Sequence, residues 1–169
     1  AESKAWFQFP EITLGILPGI GGMAVPYRRW PEAAGTFHEM IRAASRLRAT
    51  AAQEMGVLSG VADSYLGLIE LAVAKVRELS KEEKPSLDGV VPIPTPPESD
   101  GIAANGQQLS KEVTKIITQA IVDSAAAPTL NEALEVGYLA FAETACTPAA
   151  QEGIAAFFQK RRPNFGESG

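Results

Sequence analysis

The sequence predicts a mostly α-helical domain that begins with one short β-strand. Residues 4–9 are rich in aromatic side chains, which favour strands. From residue 31 onward, apolar residues recur at the spacing of one helix face. Near the end of the chain, three segments each start with a residue type that caps helices. The length of 169 residues corresponds to about one domain.

Composition excludes several classes of function. The net charge of -5 argues against a nucleic-acid partner, because phosphate binding needs a basic surface. No apolar run approaches the roughly 18 residues that a membrane span needs, and no signal-peptide pattern is present. A single cysteine, Cys146, and a single histidine, His38, exclude an internal disulfide and a multi-histidine metal site. We therefore expect a cytoplasmic protein with no membrane partner, no bound metal and no metal cofactor.

The segment FQFPEITLGILPGIGG, residues 7–22, places a carboxylate between the predicted strand and a glycine-rich turn. Pro10 is expected to end the strand, and Glu11 follows it directly. Glu11 is therefore a candidate functional group, and the alternative is an ordinary surface carboxylate. Four glycines allow tight turns and a close approach to a ligand: Gly15, Gly19, Gly21 and Gly22.

Three helices are predicted between residues 31 and 80. Pro31 suits the first turn of the first helix, and Gly56 suits the end of the second. Asp63 or Ser64 is expected to cap the third helix, which runs to about Ser80. The apolar stripe of that helix consists of Leu66, Leu68, Ile69, Val73, Val76 and Leu79.

Residues 81–107 are dense in proline, glycine and charge, which predicts an extended linker or surface loop. The simplest interpretation is an insertion without a function. We therefore divide the chain into residues 1–80, the linker 81–107 and a helical region 108–165.

Three more helices follow the linker. Ser110 is expected to cap the first. Thr129 and Glu132 form a capping-box pattern for the second. Thr147 and Pro148 suit the N-cap and first turn of the third.

Two motifs resemble the crotonase (enoyl-CoA hydratase/isomerase) superfamily. One is FPEITLGILPGIGG, residues 9–22, and the other is EGIAAFFQKRRPNF, residues 152–165. The resemblance implies an α/β crotonase-like (ClpP/crotonase) fold, of which this chain is the C-terminal half. Residues 1–80 then belong to the core, and residues 108–165 form helices that trimerise and cover coenzyme A. The segment 46–72 follows the family pattern only loosely, which leaves the acyl-chain specificity open.

The resemblance also implies a reaction. Hydration of an α,β-unsaturated thioester needs a base for water, an acid for the α-carbon and donors for the enolate-like oxygen. Glu11 matches the second of the two family glutamates and is expected to transfer a proton, and Gly15 and Gly19 match residues that shape the pocket. The first glutamate and the oxyanion-hole amides lie upstream in the family, so we expect little turnover from this chain alone. The CoA thioester is the substrate, and no further cofactor is implied.

The closing motif implies a role in binding coenzyme A. Phe141, Phe157 and Lys160 match the family's contacts to adenosine and phosphate, because aromatic rings flank adenine and lysine supplies a point charge. As an alternative, both phenylalanines are core residues, and the Lys160–Arg162 charges suit a helix C-terminus.

The expected partners are an acyl-CoA substrate, the N-terminal half of the domain, and further copies of the chain in a homotrimer or hexamer. Trp6, Phe7 and Phe9 are expected to form an exposed apolar edge through which the chain self-associates. The parent protein is a hydratase or an isomerase in this interpretation, with a fused 3-hydroxyacyl-CoA dehydrogenase as one possible arrangement. Two alternatives are a non-catalytic oligomerisation and CoA-binding helical module, and a generic helical domain.

Other polar residues carry weaker predictions. His38 is expected at the surface or in an interface, and Cys146 lacks a nearby histidine that would make it a catalytic thiol. Residues 25–30, VPYRRW, are expected to face solvent or to pack in an interface after the glycine turn, and the alternative is that their two arginines contact phosphate.

Overall fold

The computed structural model describes residues 1–79 and 85–167. The predicted end of the third helix at Ser80, and the first four residues of the predicted linker 81–107, lie outside the described residues. Two strands are present in the described part: β1 (Trp6–Phe7) and β2 (Leu47–Arg48). The α-helices there are α1 (Val25–Arg29), α2 (Ala34–Ala43), α3 (Ala49–Glu54), α4 (Tyr65–Leu79), α5 (Lys111–Ala126), α6 (Leu130–Ala145) and α7 (Pro148–Phe158). Short 3-10 helices cover Glu11–Leu14, Pro31–Ala33 and Phe165–Glu167.

The predicted strand over residues 4–9 is shorter than expected. Only β1 is extended and paired, antiparallel to β2, with Trp6 opposite Arg48 and Phe7 opposite Leu47. Because β2 has only two residues, the hydrogen-bonded ladder ends there. Glu11 therefore starts a 3-10 helix and does not end a strand, which corrects the sequence prediction.

The chain divides into two compact units. The first consists of Ala1–Phe7 and Arg46–Ser86. Its β-ribbon is extended by hydrogen bonds from Ser3 N to Ala62 O and from Ala49 N to Ala5 O, both 2.9 Å long. Helix α4 belongs to this unit and has no buried residue, and its predicted apolar stripe is exposed except at Leu68, which is half-buried.

The second unit consists of Gln8–Ser45 and Leu87–Gly169 and contains most of the helices. Residues 8–45 thus pack with the C-terminal helices. Helices α5 and α6 pack along each other, and the Glu11–Leu14 3-10 helix packs against α7. The fully buried side chains here include Ile12, Leu17, Met23, Tyr27, Ile41, Val113, Ile117 and Ile121.

The predicted N-caps of the last three helices are confirmed. The hydroxyl of Ser110 accepts a hydrogen bond from the Val113 amide, that of Thr129 from the Glu132 amide, and that of Thr147 from the Ala150 amide. Pro148 is the first residue of α7, where its missing N–H costs nothing. None of the helices in the described residues is long and apolar enough to span a membrane.

The first helices begin differently from the prediction. Pro31 starts a 3-10 helix, and α2 follows it from Ala34. Helix α1 lies within the VPYRRW segment, where the sequence analysis predicted no helix.

Residues 87–107 contain neither helix nor strand, yet they are fastened to the second unit, and we name them the proline-rich strap. Arg28 of α1 donates to the carbonyls of Leu87 and Gly89. His38 of α2 donates through Nε2 to the carbonyl of Pro94 at 3.0 Å. Further bonds join Gly89 N to Pro128 O, Val91 N to Ala125 O, Ala104 N to Ala43 O, and Gln107 Nε2 to Thr13 O.

Candidate active site

The backbone around Glu11 is fixed by local bonds and by one buried anchor. In the 3-10 helix Glu11–Leu14, both the amide and the hydroxyl of Thr13 donate to the Pro10 carbonyl, at 3.0 and 2.7 Å. Ile12 is 1% exposed and anchors the turn in the core. Gly15 ends the helix in the left-handed conformation, with φ at +73°. The side chain of Glu11 is thus held on a rigid turn.

The two motifs that carried the family resemblance contact each other. A Cβ atom at Gly15 would lie 2.6 Å from the carbonyl carbon and oxygen of Ala149, in the first turn of α7. A Cβ atom at Gly153 would likewise collide with the backbone of Leu14. Only glycine permits this close approach, so both residues position the Glu11 turn against α7.

Glu11 lines a pocket with a volume of about 540 Å³. The lining is apolar except for the Glu11 carboxylate and Tyr138. An apolar pocket with one carboxylate suits an acyl chain beside a proton-transfer group. The lining residues are Phe9, Glu11, Leu17, Pro18, Gly19, Ile20, Gly22, Tyr138 and Phe141.

The Glu11 carboxylate is partly removed from water. Its Oε2 atom is buried and has no hydrogen-bond partner among the described residues. Burial raises the pKa of Glu11 above its ordinary value, and a hydrogen bond with its own backbone opposes part of this rise. A carboxyl group with a raised pKa and a free oxygen is equipped to exchange a proton with a bound molecule.

Gly19 and Phe141 lie together in the wall of this pocket. A Cβ atom at Gly19 would lie 2.8 Å from Cδ2 of the Phe141 ring. Phe141 of α6 is 37% exposed, so it is neither a buried core residue nor a free surface side chain. Tyr138 precedes Phe141 by one helical turn and was not predicted. Its spacing of three residues from Phe141 is the sequence signal that could have identified it.

The remaining predicted residues lie elsewhere. Gly15 packs against α7 and does not line the pocket. Phe157 is 66% exposed and stacks edge-to-face on Phe158, with ring centroids 5.9 Å apart. Lys160 is exposed just after α7 in the left-handed conformation, with φ at 55°. The structure therefore brings together Glu11, Gly19 and Phe141, and it does not bring Gly15, Phe157 or Lys160 into the pocket.

The charged residues of the closing motif, residues 152–165, bind each other and stabilise the conformation of that segment. Arg161 forms a two-bonded pair with Glu152, and the Asn164 amide donates to the same carboxylate at 2.7 Å. These bonds lower the pKa of Glu152 to about 2. Residues 161–164, which follow α7, are thus bonded back to Glu152 within that helix.

Two predictions for polar residues were wrong. His38 is 1% exposed, and its Nδ1 accepts a hydrogen bond from the Tyr27 hydroxyl at 2.9 Å. Arg28, in the segment predicted to face solvent or an interface, is 8% exposed. Besides its two bonds to the strap, Arg28 donates to the carbonyls of Ser124 and Ala127. Both side chains satisfy buried polar groups, which sequence periodicity does not reveal.

Cys146 is an exposed free thiol at the end of α6. Within residues 1–79 and 85–167, no group of three His, Cys, Asp or Glu side chains is arranged to hold a metal ion.

No family model matches the chain. The curated proteins that match the chain include two that align with 98% of its length. The chain is 30% identical to a probable enoyl-CoA hydratase from Mycobacterium leprae and 28% identical to the 2,3-dehydroadipyl-CoA hydratase from Escherichia coli. The match covers 52% of each of these proteins, so the chain spans about half the length of the curated relatives.

Solved structures share the fold. A carnitinyl-CoA hydratase from Mycobacterium avium matches 97% of the chain and 52% of its own length, with a TM-score of 0.61 and 18% identity. An enoyl-CoA hydratase from Mycobacterium avium subsp. paratuberculosis matches 98% of the chain and 55% of its own length, with a TM-score of 0.56 and 21% identity. These comparisons confirm the predicted fold, and with the curated relatives they confirm the resemblance that the two motifs indicated.

Proposed function

Since the chain is a member of the crotonase superfamily, we propose that it supplies part of an enoyl-CoA hydratase active site, with Glu11 as its proton-transfer group. The observation that carries this proposal is the buried, unpartnered Oε2 of Glu11 in the apolar pocket. Both curated relatives are hydratases of CoA thioesters by name, which favours an enzyme over the non-catalytic helical module.

The chemistry follows from the state of this carboxyl group. Hydration places a hydroxyl on the β-carbon and a proton on the α-carbon of an unsaturated thioester. Because its pKa is raised, Glu11 holds its proton closer to neutral pH than an exposed glutamate does, and it delivers this proton to the α-carbon. The apolar lining holds the acyl chain and keeps bulk water away from the carboxyl group. Movement of the same proton between two carbons would give isomerisation, which is the second outcome that this site allows.

The rest of the reaction needs groups from elsewhere. We propose that the other acid–base carboxylate, which is the first of the two family glutamates, and the amides that stabilise the thioester oxygen belong to the part of the relatives that this chain does not span. Each such amide contributes about 2.7–4 kcal/mol to lowering the barrier. For this reason the 169 residues alone are expected to turn over substrate very slowly.

The CoA contacts are proposed to involve more than one subunit. Phe141 lines the pocket, whereas Phe157 is exposed in the last turn of α7 and Lys160 is exposed just after that helix. We propose that Phe157 and Lys160 of one subunit cover the nucleotide bound to its neighbour in a homotrimer or hexamer. Large exposed apolar side chains on α6 and α7 are suited to such an interface: Tyr138, Leu139, Ile154, Phe157 and Phe158.

The test follows the loss of enoyl-thioester absorbance when the chain is mixed with crotonyl-CoA, alone and with the complementary half of the domain. Activity only in the mixture is the expected result, and Glu11→Gln should abolish it. Glu135→Gln serves as the matched control, because Glu135 is exposed on α6 and does not line the pocket. Equal activity of the two variants would contradict the role of Glu11. The absence of turnover from the complemented wild-type chain would contradict the hydratase assignment.

A further inference from the structure

A second pocket lies in the second unit and is lined by several cationic residues. It shares no lining residue with the pocket that contains Glu11. It has a volume of about 550 Å³ and lies between α5, the end of α2 and residues 96–101 of the proline-rich strap. Its lining includes three cations, Arg42, Lys111 and Lys115, and one carboxylate, Glu98. The pocket is thus positively charged in a chain whose net charge is -5.

Arg42 is the central feature of this pocket. Its side chain is 6% exposed, and its Nε donates to the Thr118 hydroxyl at 3.1 Å. Among the described residues, the two terminal nitrogens of the guanidinium have no hydrogen-bond partner. The terminal nitrogens are not among the buried side-chain atoms without a partner, so they keep contact with solvent, while the residue as a whole is 6% exposed. Its planar fork matches the oxygens of a phosphate group.

The surrounding groups are positioned for the same type of ligand. Lys111 and Lys115 are exposed one helical turn apart in the first two turns of α5, and both residues line the pocket. The first turn of α5 also brings the positive end of a sixteen-residue helix to this side. The Thr114 hydroxyl donates to the Ser110 carbonyl and the Thr118 hydroxyl to the Thr114 carbonyl, so neither of these two protons is available to a ligand.

The strap forms the opposite wall and is itself ordered. The Ser99 hydroxyl oxygen accepts a hydrogen bond from the Gly101 amide, and Asp100 Oδ1 accepts one from the Ile102 amide. Pro96 and Pro97 restrict the backbone that leads into this turn. Glu98 is the single lining group that repels an anion, and it lies on the exposed side of the strap.

From this arrangement we propose that Arg42, Lys111 and Lys115 form a phosphate-binding site, closed on one side by residues 96–101 of the strap. The ligand is a phosphate monoester or inorganic phosphate, bound by the guanidinium fork and two ammonium groups. The insertion in the sequence then has a function, which is to complete this site. The proposal does not depend on hydratase activity at Glu11.

The direct test is isothermal titration of the 169-residue chain with inorganic phosphate at low ionic strength. Arg42→Lys, which keeps the charge but removes the fork, should weaken binding about tenfold. Lys115→Gln should weaken it about threefold, and added salt should weaken it in all cases. Lys4→Gln is the matched control, because Lys4 is exposed and belongs to the first unit. The unfolding transition of each variant establishes that Arg42→Lys is folded.

Competition identifies the source of the phosphate. Displacement by CoA but not by dephospho-CoA would assign the site to the nucleotide 3′-phosphate, and displacement by neither would assign it to another phosphorylated molecule. Either result supports the site. If the wild-type chain does not bind phosphate, or if Lys115→Gln and folded Arg42→Lys bind it as tightly as Lys4→Gln, the proposal is overturned.

Discussion

Gly19 and Phe141 are in such close contact that a single added methyl group at Gly19 would lie 2.8 Å from the aromatic ring. Normal carbon contacts are about 3.5–4.0 Å, so the ring would have to move. Phe141 and Glu11 line the same pocket. The glycine-rich turn and α6 therefore determine together how much space lies beside the carboxylate.

The first prediction concerns this contact. Gly19→Ala should destabilise the chain by about 1–3 kcal/mol, because it overpacks the pocket wall. In the Phe141→Ala background the same substitution should cost much less, which gives a coupling free energy of about 1 kcal/mol or more. Chemical denaturation of the four chains of this double-mutant cycle provides the measurement. Additive effects would show that the two residues do not contact each other.

The second prediction concerns the contact between the Glu11 turn and α7. Gly15→Ala should destabilise the chain by more than about 2 kcal/mol, because alanine meets both a strained φ and the Ala149 backbone. Gly35→Ala is the matched control, since Gly35 lies in α2 and a Cβ there meets no atom within 4 Å. That control should be neutral or stabilising by up to about 1 kcal/mol. Urea denaturation of both variants compares them, and equal free energies of unfolding would refute the close approach of Gly15 to α7.

The third prediction concerns Arg28, which binds four backbone carbonyls. Arg28→Met should lower the free energy of unfolding by at least about 3 kcal/mol, because these buried acceptors lose charged donors. Arg28→Lys should recover little, since an ammonium group cannot replace the fork. The neighbouring Arg29 is exposed, and Arg29→Met should change stability by less than about 0.5 kcal/mol. Similar thermal unfolding of the Arg28 and Arg29 variants would contradict the fastening of the strap by Arg28.

The fourth prediction concerns the pH dependence that His38 confers. A carbonyl only accepts hydrogen bonds, so Nε2 carries the proton toward Pro94 and Nδ1 accepts from Tyr27. Burial lowers the pKa of His38 below its ordinary 6.5. Below about pH 6.5 the folded state therefore binds fewer protons at His38 than the unfolded state does. The contribution of neutral His38 to the free energy of unfolding is complete above about pH 6.5, and it is lost as the pH falls toward the lowered pKa of the folded state.

His38→Gln retains one donor and one acceptor but does not titrate in this range. The free energy of unfolding of the wild-type chain should therefore fall more steeply than that of the variant between pH 7 and pH 5, by at most about 1.4 kcal/mol per pH unit. Parallel curves for the two proteins would show that His38 does not titrate differently on unfolding.

Local patterns in the sequence predicted much of the helical framework. The caps at Ser110, Thr129 and Thr147 were found because capping depends on one side chain and an amide two or three residues away. The strand was overestimated, since its length depends on β2, some forty residues further along the chain. The same limit applies to Arg28 and His38, whose acceptors lie in a strap that is far away in sequence.

The candidate site was predictable in part. Glu11, Gly19 and Phe141 followed from the motifs, and the structure brings them into one pocket. Gly15 matched a pocket residue in sequence but packs on α7, because a glycine motif does not reveal which backbone approaches it. The cationic pocket had no local signal, since Arg42, Lys111 and Lys115 come from helices that only tertiary packing brings together.

The most direct test of the central claim is the effect of Glu11→Gln on crotonyl-CoA hydration by the chain complemented with the other half of the domain. We predict a loss of kcat of at least about a hundredfold, since a positioned proton-transfer group contributes at least that much. The variant should keep its fold and its affinity for the substrate, and the Glu135→Gln control should keep its activity. If Glu11→Gln retained the kcat of the wild-type chain, Glu11 would not be the proton-transfer group and the proposed active site would be wrong.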